Sequence, residues 1–164
     1  MKEMIKKKNI FVSIISAFIA YKLLRKINDL KLGLEYICTL YIKDKSISFK
    51  GYLDTGNLVR GINGEGVIIV HNSIINKILN TNLSYEIEDY NDYLHIYNNI
   101  PITIKDSLSY TFYNTTKEKQ ILPILRFDKI VITNKRKEKT VYNPYIGILG
   151  IDSSGALIPI STLK

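Results

Sequence analysis

The sequence predicts a mainly β fold, a barrel or sandwich preceded by an amino-terminal hydrophobic helix, and three observations carry that expectation. Beyond Gly33 apolar residues alternate with polar ones over several short runs, polar turn clusters separate the runs, and the longest apolar stretch, Ile10 to Leu24, lies before them all. Strands this short and numerous bury their apolar faces by closing into a barrel or stacking as a sandwich.

At 164 residues the chain has room for one folding unit and an attachment segment. We place the boundary between residues 1–32, a membrane-anchoring or interfacial helix, and residues 33–164, the folded domain. Apolar residues are 46% of the chain and charged residues 23%, which is ordinary globular usage. A single cysteine, Cys38, forms no internal disulfide, and the chain has no Cys/His zinc spacing, so no metal or cofactor is expected. A reducing compartment follows as the simpler assumption.

The net charge of +8 does not point to nucleic acid, because residues 1–32 carry eight lysines and arginines against Glu3 and Asp29, leaving only about +2 for the rest. A second basic cluster, Asn134 to Lys139, lies between two β-like runs and reads as a solvated hairpin tip.

Lysines and Arg25 flank the apolar stretch from Ile10 to Leu24 on both sides. It is short for a bilayer span, which takes about 20 residues, and works as one if Lys22 and the preceding lysines snorkel to the interface. A secretory signal and an amphipathic helix continued by Leu23, Leu24, Ile27 and Leu30 are the competing readings.

After Gly33 the period becomes two. Leu34, Tyr36, Cys38, Leu40 and Ile42 share one face of a strand, Lys43 to Ser46 is a polar turn, and Ile47, Phe49, Gly51 and Leu53 return along a second strand into Asp54-Thr55-Gly56-Asn57. Cys38 therefore reads as core. Further β-like runs span 66–71, 94–104, 108–113, 121–125, 129–133 and 140–149, and Asn72 to Leu79 reads as a short helix capped by Asn72 or Ser73. The segment after Gly150, interrupted by Ser153-Ser154-Gly155 and ended by Pro159, suits a turn or brief helix.

Asp54-Thr55-Gly56 by itself also suits a plain turn, with the carboxylate bonding its own backbone. Its context adds to it: a hairpin enters through Tyr52-Leu53, apolar Leu58-Val59 follow, and a second apolar run ending in glycine, Ile148-Leu149-Gly150, stands near the carboxyl end. Through Gly51-Tyr52-Leu53-Asp54-Thr55-Gly56-Asn57-Leu58 and Gly147-Ile148-Leu149-Gly150-Ile151 the chain resembles aspartic peptidases of the retroviral type. It is more closely similar to the sigma-factor-processing peptidases of spore-forming bacteria known as stage II sporulation protein GA.

The resemblance covers Leu34 to the end and implies a retropepsin-like barrel, a homodimer in which two Asp54 side chains meet, and an inactive sigma-factor precursor as substrate. It further implies an activating sporulation protein, a place at the cell membrane with the peptidase domain on the cytoplasmic side, and a psi-type supporting segment at Ile148, Leu149 and Gly150. Relative to that family, which carries several membrane spans, this sequence offers at most one. A silent membrane-attached scaffold or binding domain on the same fold is the alternative function.

The chemistry has its own logic. Hydrolysing a peptide without a covalent intermediate needs a base to activate water and an acid to polarise the carbonyl. Two carboxylates sharing one proton supply both, since two charges a few ångströms apart cannot both ionise cheaply. Gly56 allows close backbone approach, the Thr55 hydroxyl locks the loop, and Asn57 is expected to turn its amide towards the carboxylates. One triplet per chain asks for a symmetry mate. Asp152, the other carboxylate considered, reads as a cap for the terminal segment. His71 and His95 lack zinc spacing, Cys38 lacks a histidine partner, and the acidic residues among Tyr85, Tyr90, Tyr93 and Tyr97 disfavour nucleic acid.

Overall fold

The computed structural model describes residues 16–24, 34–83, 90–114, 119–135, 137–149 and 155–163. The chain divides into two compact units, Met1–Leu34 and Glu35–Lys164. In the first, residues 16–24 form a helix, α1, whose Phe18, Ile19, Tyr21, Leu23 and Leu24 are exposed. The Lys22 ammonium sits over the Phe18 ring at 4.9 Å, the i,i+4 spacing of a helix face. Among the described residues no helix is long and apolar enough to cross a membrane. The remainder of the Ile10–Leu24 stretch lies outside them.

The second unit is mainly β. Its strands are β1 Glu35–Ile42, β2 Lys45–Asp54, β3 Ile68–His71, β4 Leu108–Asn114, β5 Lys119–Arg126, β6 Lys129–Thr133, β7 Glu138–Tyr142, β8 Tyr145–Leu149 and β9 Ala156–Pro159. Three helices, α2 Asn72–Leu79, α3 Tyr90–Asn99 and α4 Ile160–Leu163, and a 3-10 turn, Ile102–Ser107, complete it. The first hairpin follows the alternation: Cys38, Leu40 and Ile42 are buried, and Lys43 takes the turn with φ 52°.

Nine strands form one sheet in the order β4-β5-β8-β3-β9-β2-β1-β6-β7. Only Phe127 and Asp128 join β5 to β6, and only Asn143 and Pro144 join β7 to β8, although each pair lies six places apart in that order. A flat sheet would separate them by roughly 29 Å at about 4.8 Å per strand. Three Cα steps reach about 11 Å. The sheet is therefore rolled over on itself, and the two crossings are tied together by Phe127 N–H to the Pro144 carbonyl (3.1 Å) and Asn143 N–H to the Asp128 carbonyl (2.9 Å).

The rolled sheet corrects the closed barrel expected from the sequence, because β4 and β7 remain edges and no ladder joins them among the described residues. The reason lies at the crossing. Asn143 is left-handed at φ 52° and Pro144 has no N–H to donate, so the run expected over 140–149 breaks into two strands. The main core, including Leu40, Ile75, Phe127, Ile130 and Ile146, fills the inside of the roll. A smaller cluster of Val67, Ile69, Leu122, Ile124 and Tyr145 covers the other face of β3, β5 and β8. Burial on both faces explains why these strands lose the period-two pattern.

Two local expectations are also corrected. The run over 94–104, read as β, is α3 followed by the 3-10 turn. Its alternating Leu94, Ile96, Ile100 and Ile102 also contain the helical spacing of four, and only Ile96 and Ile100 are buried, whereas Ile102 is 82% exposed. For α2 the bounds match, but the N-cap is His71, whose Nδ1 accepts from the Ser73 N–H at 3.2 Å.

Candidate functional site around Asp54

β2 carries Gly51 to Asp54 up one side of β9, to which it is parallel, with Gly51 opposite Ala156 and Asp54 opposite Pro159. The chain then loops through residues 55–67 and comes back down as β3 on the other side of β9, antiparallel to it. The strand entering the loop and the strand leaving it thus enclose a third strand, a psi-shaped arrangement. This wedge anchors the loop at both ends while leaving its tip outside the sheet.

Small residues allow the strands to come this close. A Cβ on Gly51 would stand 2.6 Å from Cys38 Sγ and 2.8 Å from Ile158 Cδ1, and one on Gly155 would stand 2.7 Å from the Lys50 carbonyl oxygen. Both positions need glycine for close approach.

At the loop itself, the Gly56 N–H donates to Asp54 Oδ1 at 2.9 Å, which fixes the carboxylate on its own backbone. Asp54 is half-buried, while Thr55 and Gly56 are exposed. Asn57 is 7% exposed. Its Nδ2 donates to the Val67 carbonyl at 3.0 Å, and its Oδ1 accepts from the Val59 N–H at 3.1 Å. The expected turn of its amide towards the carboxylates is thereby corrected: both ends of the side chain are spent stitching the outgoing chain to the start of β3. Beyond Asn57, Leu58 projects with 75% exposure. Residues 59–67 form a small hairpin, closed by Val67 N–H to the Val59 carbonyl at 3.1 Å and Gly61 N–H to the Glu65 carbonyl at 2.8 Å.

The structure does not bring Ile148 and Leu149 to Asp54. They lie on β8, with β3 and β9 between them and β2. Val70 pairs with Ile148 on one side and with Ala156 on the other, and Ala156 pairs with Gly51, so Ile148 stands level with Gly51, three residues short of Asp54. Leu149 is one step further away, and Gly150 and Asp152 lie outside the described residues. The segment beside Asp54 is Ala156–Pro159, a strand where a turn or brief helix was expected. Its signal in the sequence is the apolar run Ala-Leu-Ile-Pro after Gly155, masked by the serines and proline that bracket it.

Cys38 is fully buried, and burial pushes its thiol from 9.0 up to about 12, which leaves it inert as a nucleophile. Among the described residues no group of three His, Cys, Asp or Glu side chains could hold a metal ion.

A family model for the sporulation factor SpoIIGA, a family of peptidases, matches residues 2–155 of the 164. No curated protein and no solved structure matches the chain.

Proposed function

The chain belongs to the sporulation factor SpoIIGA family of peptidases, and on that premise we propose that it is an aspartic endopeptidase whose catalytic base and acid are two Asp54 carboxylates, one from each of two copies. Its substrate is an inactive sigma-factor precursor, cut at the cytoplasmic face of the membrane to which residues 1–32 attach the peptidase domain. A second sporulation protein switches it on.

The observation that carries this reading is the placement of Asp54: a carboxylate fixed by the Gly56 N–H at the tip of a psi-shaped wedge, beside exposed Thr55 and Gly56. One carboxylate cannot serve as base and acid in the same step. A second copy meeting the first across a two-fold axis at this loop supplies the missing group. With one proton between the pair, the ionised Asp54 takes a proton from water as the protonated one donates to the scissile carbonyl. The water oxygen then bonds to the carbonyl carbon. As the tetrahedral diol collapses, the C–N bond breaks, the protonated Asp54 gives its proton to the leaving nitrogen and one diol hydroxyl returns its proton to the ionised Asp54, which restores the singly protonated pair; no covalent enzyme intermediate forms. Thr55 and Gly56 serve as the active-site loop, Asn57 holds it in position, and no cofactor enters.

Asp54→Asn keeps the size of the side chain and an oxygen for the Gly56 N–H while removing the base. Cells producing the precursor with wild-type protein should release the shortened sigma factor, and cells with the Asp54→Asn variant should release none. Unchanged processing would remove Asp54 from the mechanism.

A further inference from the structure

The β6–β7 hairpin ends the rolled sheet. Asn143 N–H bonds the Asp128 carbonyl and Asn134 N–H bonds the Lys137 carbonyl. Hydrogen-bonded pairs alternate along an antiparallel ladder, so Ile130↔Val141 and Ile132↔Lys139 are the bonded pairs between those two. The main-chain N–H and C=O groups of Thr140 and Tyr142 therefore face away from β6. Among the described residues no strand lies on that side of β7.

Beside β7 lies a cavity of about 540 Å³. Four consecutive β7 residues, Lys139 to Tyr142, line one wall, and Arg60, the Gly64–Gly66 turn, Ser161 and Thr162 line the other. The slot runs along an unpaired strand edge and faces a wall of glycine, hydroxyl and charged groups. Arg60 Nη1 is held by Ser161 Oγ at 2.8 Å, which keeps the guanidinium in place. Lys139 adds a second positive charge to the lining against the single negative charge of Glu65. Lys135 and Lys137 stand on the same hairpin, and between Lys137 and Lys139 the Glu138 carboxylate accepts from the Thr133 hydroxyl at 3.3 Å. Asp54 does not line this slot.

We propose that this slot is a docking site for an extended acidic segment of the protein substrate, which pairs with the free edge of β7 as a tenth strand away from the cleaved bond. The main-chain groups of Thr140 and Tyr142 supply strand-addition hydrogen bonds, and Arg60 and Lys139 select carboxylate side chains. β7 is five residues long, so about 17 Å of extended peptide fits along it at about 3.4 Å per residue. Exposed edges of this kind invite pairing with another chain, and the wall opposite restricts entry to a single strand. The identity of the donor as substrate rests on the peptidase reading above, whereas the binding itself does not.

The test uses the full chain in detergent carrying Asp54→Asn, so that binding is measured without catalysis. The probe is a capped hexapeptide of alternating valine and glutamate. Its controls replace glutamate with lysine or methylate alternate backbone nitrogens. Amide hydrogen exchange at Thr140 and Tyr142 should slow at least tenfold with the glutamate peptide and remain unchanged with both controls. Lys139→Glu should abolish the preference for glutamate. No slowing over 138–142, or equal slowing by the lysine peptide, overturns the docking site. In cells, Lys139→Glu in the otherwise wild-type chain should lower precursor processing at least fivefold; peptide binding with unchanged processing would overturn the substrate as its source. Loss of the peptidase reading would show differently, as Asp54→Asn protein that binds the peptide while processing proceeds without Asp54.

Discussion

Asn57→Ala removes two hydrogen bonds at once and tests whether the loop carrying Asp54 is held from behind. In the native fold Asn57 Nδ2 reaches the Val67 carbonyl at 3.0 Å and Oδ1 receives the Val59 N–H at 3.1 Å, with the side chain 7% exposed. Each such bond contributes about 1 kcal/mol net, and a buried partner left unmade costs about 1–3 kcal/mol. Water can enter beside exposed Leu58 and recover part of this, so we expect a loss of about 2–4 kcal/mol. Asn57→Asp keeps the acceptor for Val59 but sets an oxygen against the Val67 carbonyl, so it should be destabilised as well. The assay is urea unfolding of the full chain in mild detergent, followed by tyrosine fluorescence since the chain has no tryptophan. Precursor processing should fall in parallel, even where the folded fraction is corrected for. A loss under about 0.5 kcal/mol for Asn57→Ala, with processing unchanged, would refute the argument that this side chain positions the catalytic loop.

Other perturbations follow from the same geometry. Leu58→Glu places a charge on a side chain that is 75% exposed beside the triplet, so it should leave unfolding nearly unchanged yet weaken self-association at least tenfold in sedimentation; unchanged association would separate the triplet from the dimer contact. Gly51→Ala puts a methyl 2.6 Å from Cys38 Sγ and should cost about 1–3 kcal/mol, with part of it returned by adding Cys38→Ala in a double-mutant cycle. The native Cys38 thiol, pushed to about 12 by burial, should resist alkylation at pH 8 until the fold is opened. Between pH 9.0 and about 12 the unfolded chain gives up that proton first. Stability is therefore intact below that window and falls as pH rises through it, by up to about 1.4 kcal/mol per pH unit. A Cys38→Ala variant should lose this slope.

Where one face of a strand is dry and the other wet, the sequence was legible. The β1–β2 hairpin, α2 and β6 follow from alternation, from a four-residue apolar spacing and from turn residues, because each has a single buried face. The runs 66–71 and 121–125 mark β3 and β5 as well, although burial on both faces removes their period, and 140–149 runs β7 and β8 together across Asn143-Pro144. Legibility fails in 94–104, where the same apolar residues satisfy two periods and the burial of Ile96 and Ile100 decides between them. It fails again at β9. The apolar run Ala156–Pro159 marks a strand but not its place between β2 and β3, which depends on a distant glycine as well as the adjacent one: Gly51 and Gly155 together leave the gap into which it fits. Strand order is a property of pairs of segments, and a motif read along one segment does not contain it. The run Ile148-Leu149 has the right composition for a support, yet the ladder registers place it level with the strand body instead of its tip.

The loop that carries Asp54 joins two properties that rarely occur together. Its base is over-determined, by β9 wedged between its two strands, by the two bonds of Asn57 and by the Gly56 N–H on Asp54. Its crest is bare, with Thr55, Gly56 and a largely exposed Leu58. A loop meant only to connect β2 to β3 would need neither a buried asparagine nor an apolar side chain turned to water, for polar residues would serve as well and cost less. Rigidity beneath and exposure above are what a preorganised contact requires: the carboxylate is already oriented, so meeting a partner spends little on ordering it. The same reasoning separates the two sites on this domain. Around Asp54 the side chains are small and fixed and suit a symmetry mate, whereas the β7 slot offers main-chain groups and basic side chains, which suit a strand that is not part of the fold. On the two proposals together, chemistry falls at the tip of an interior strand, β2, and recognition along an edge strand, β7, so a change at Lys139 should alter which protein is cut without altering how the bond is broken.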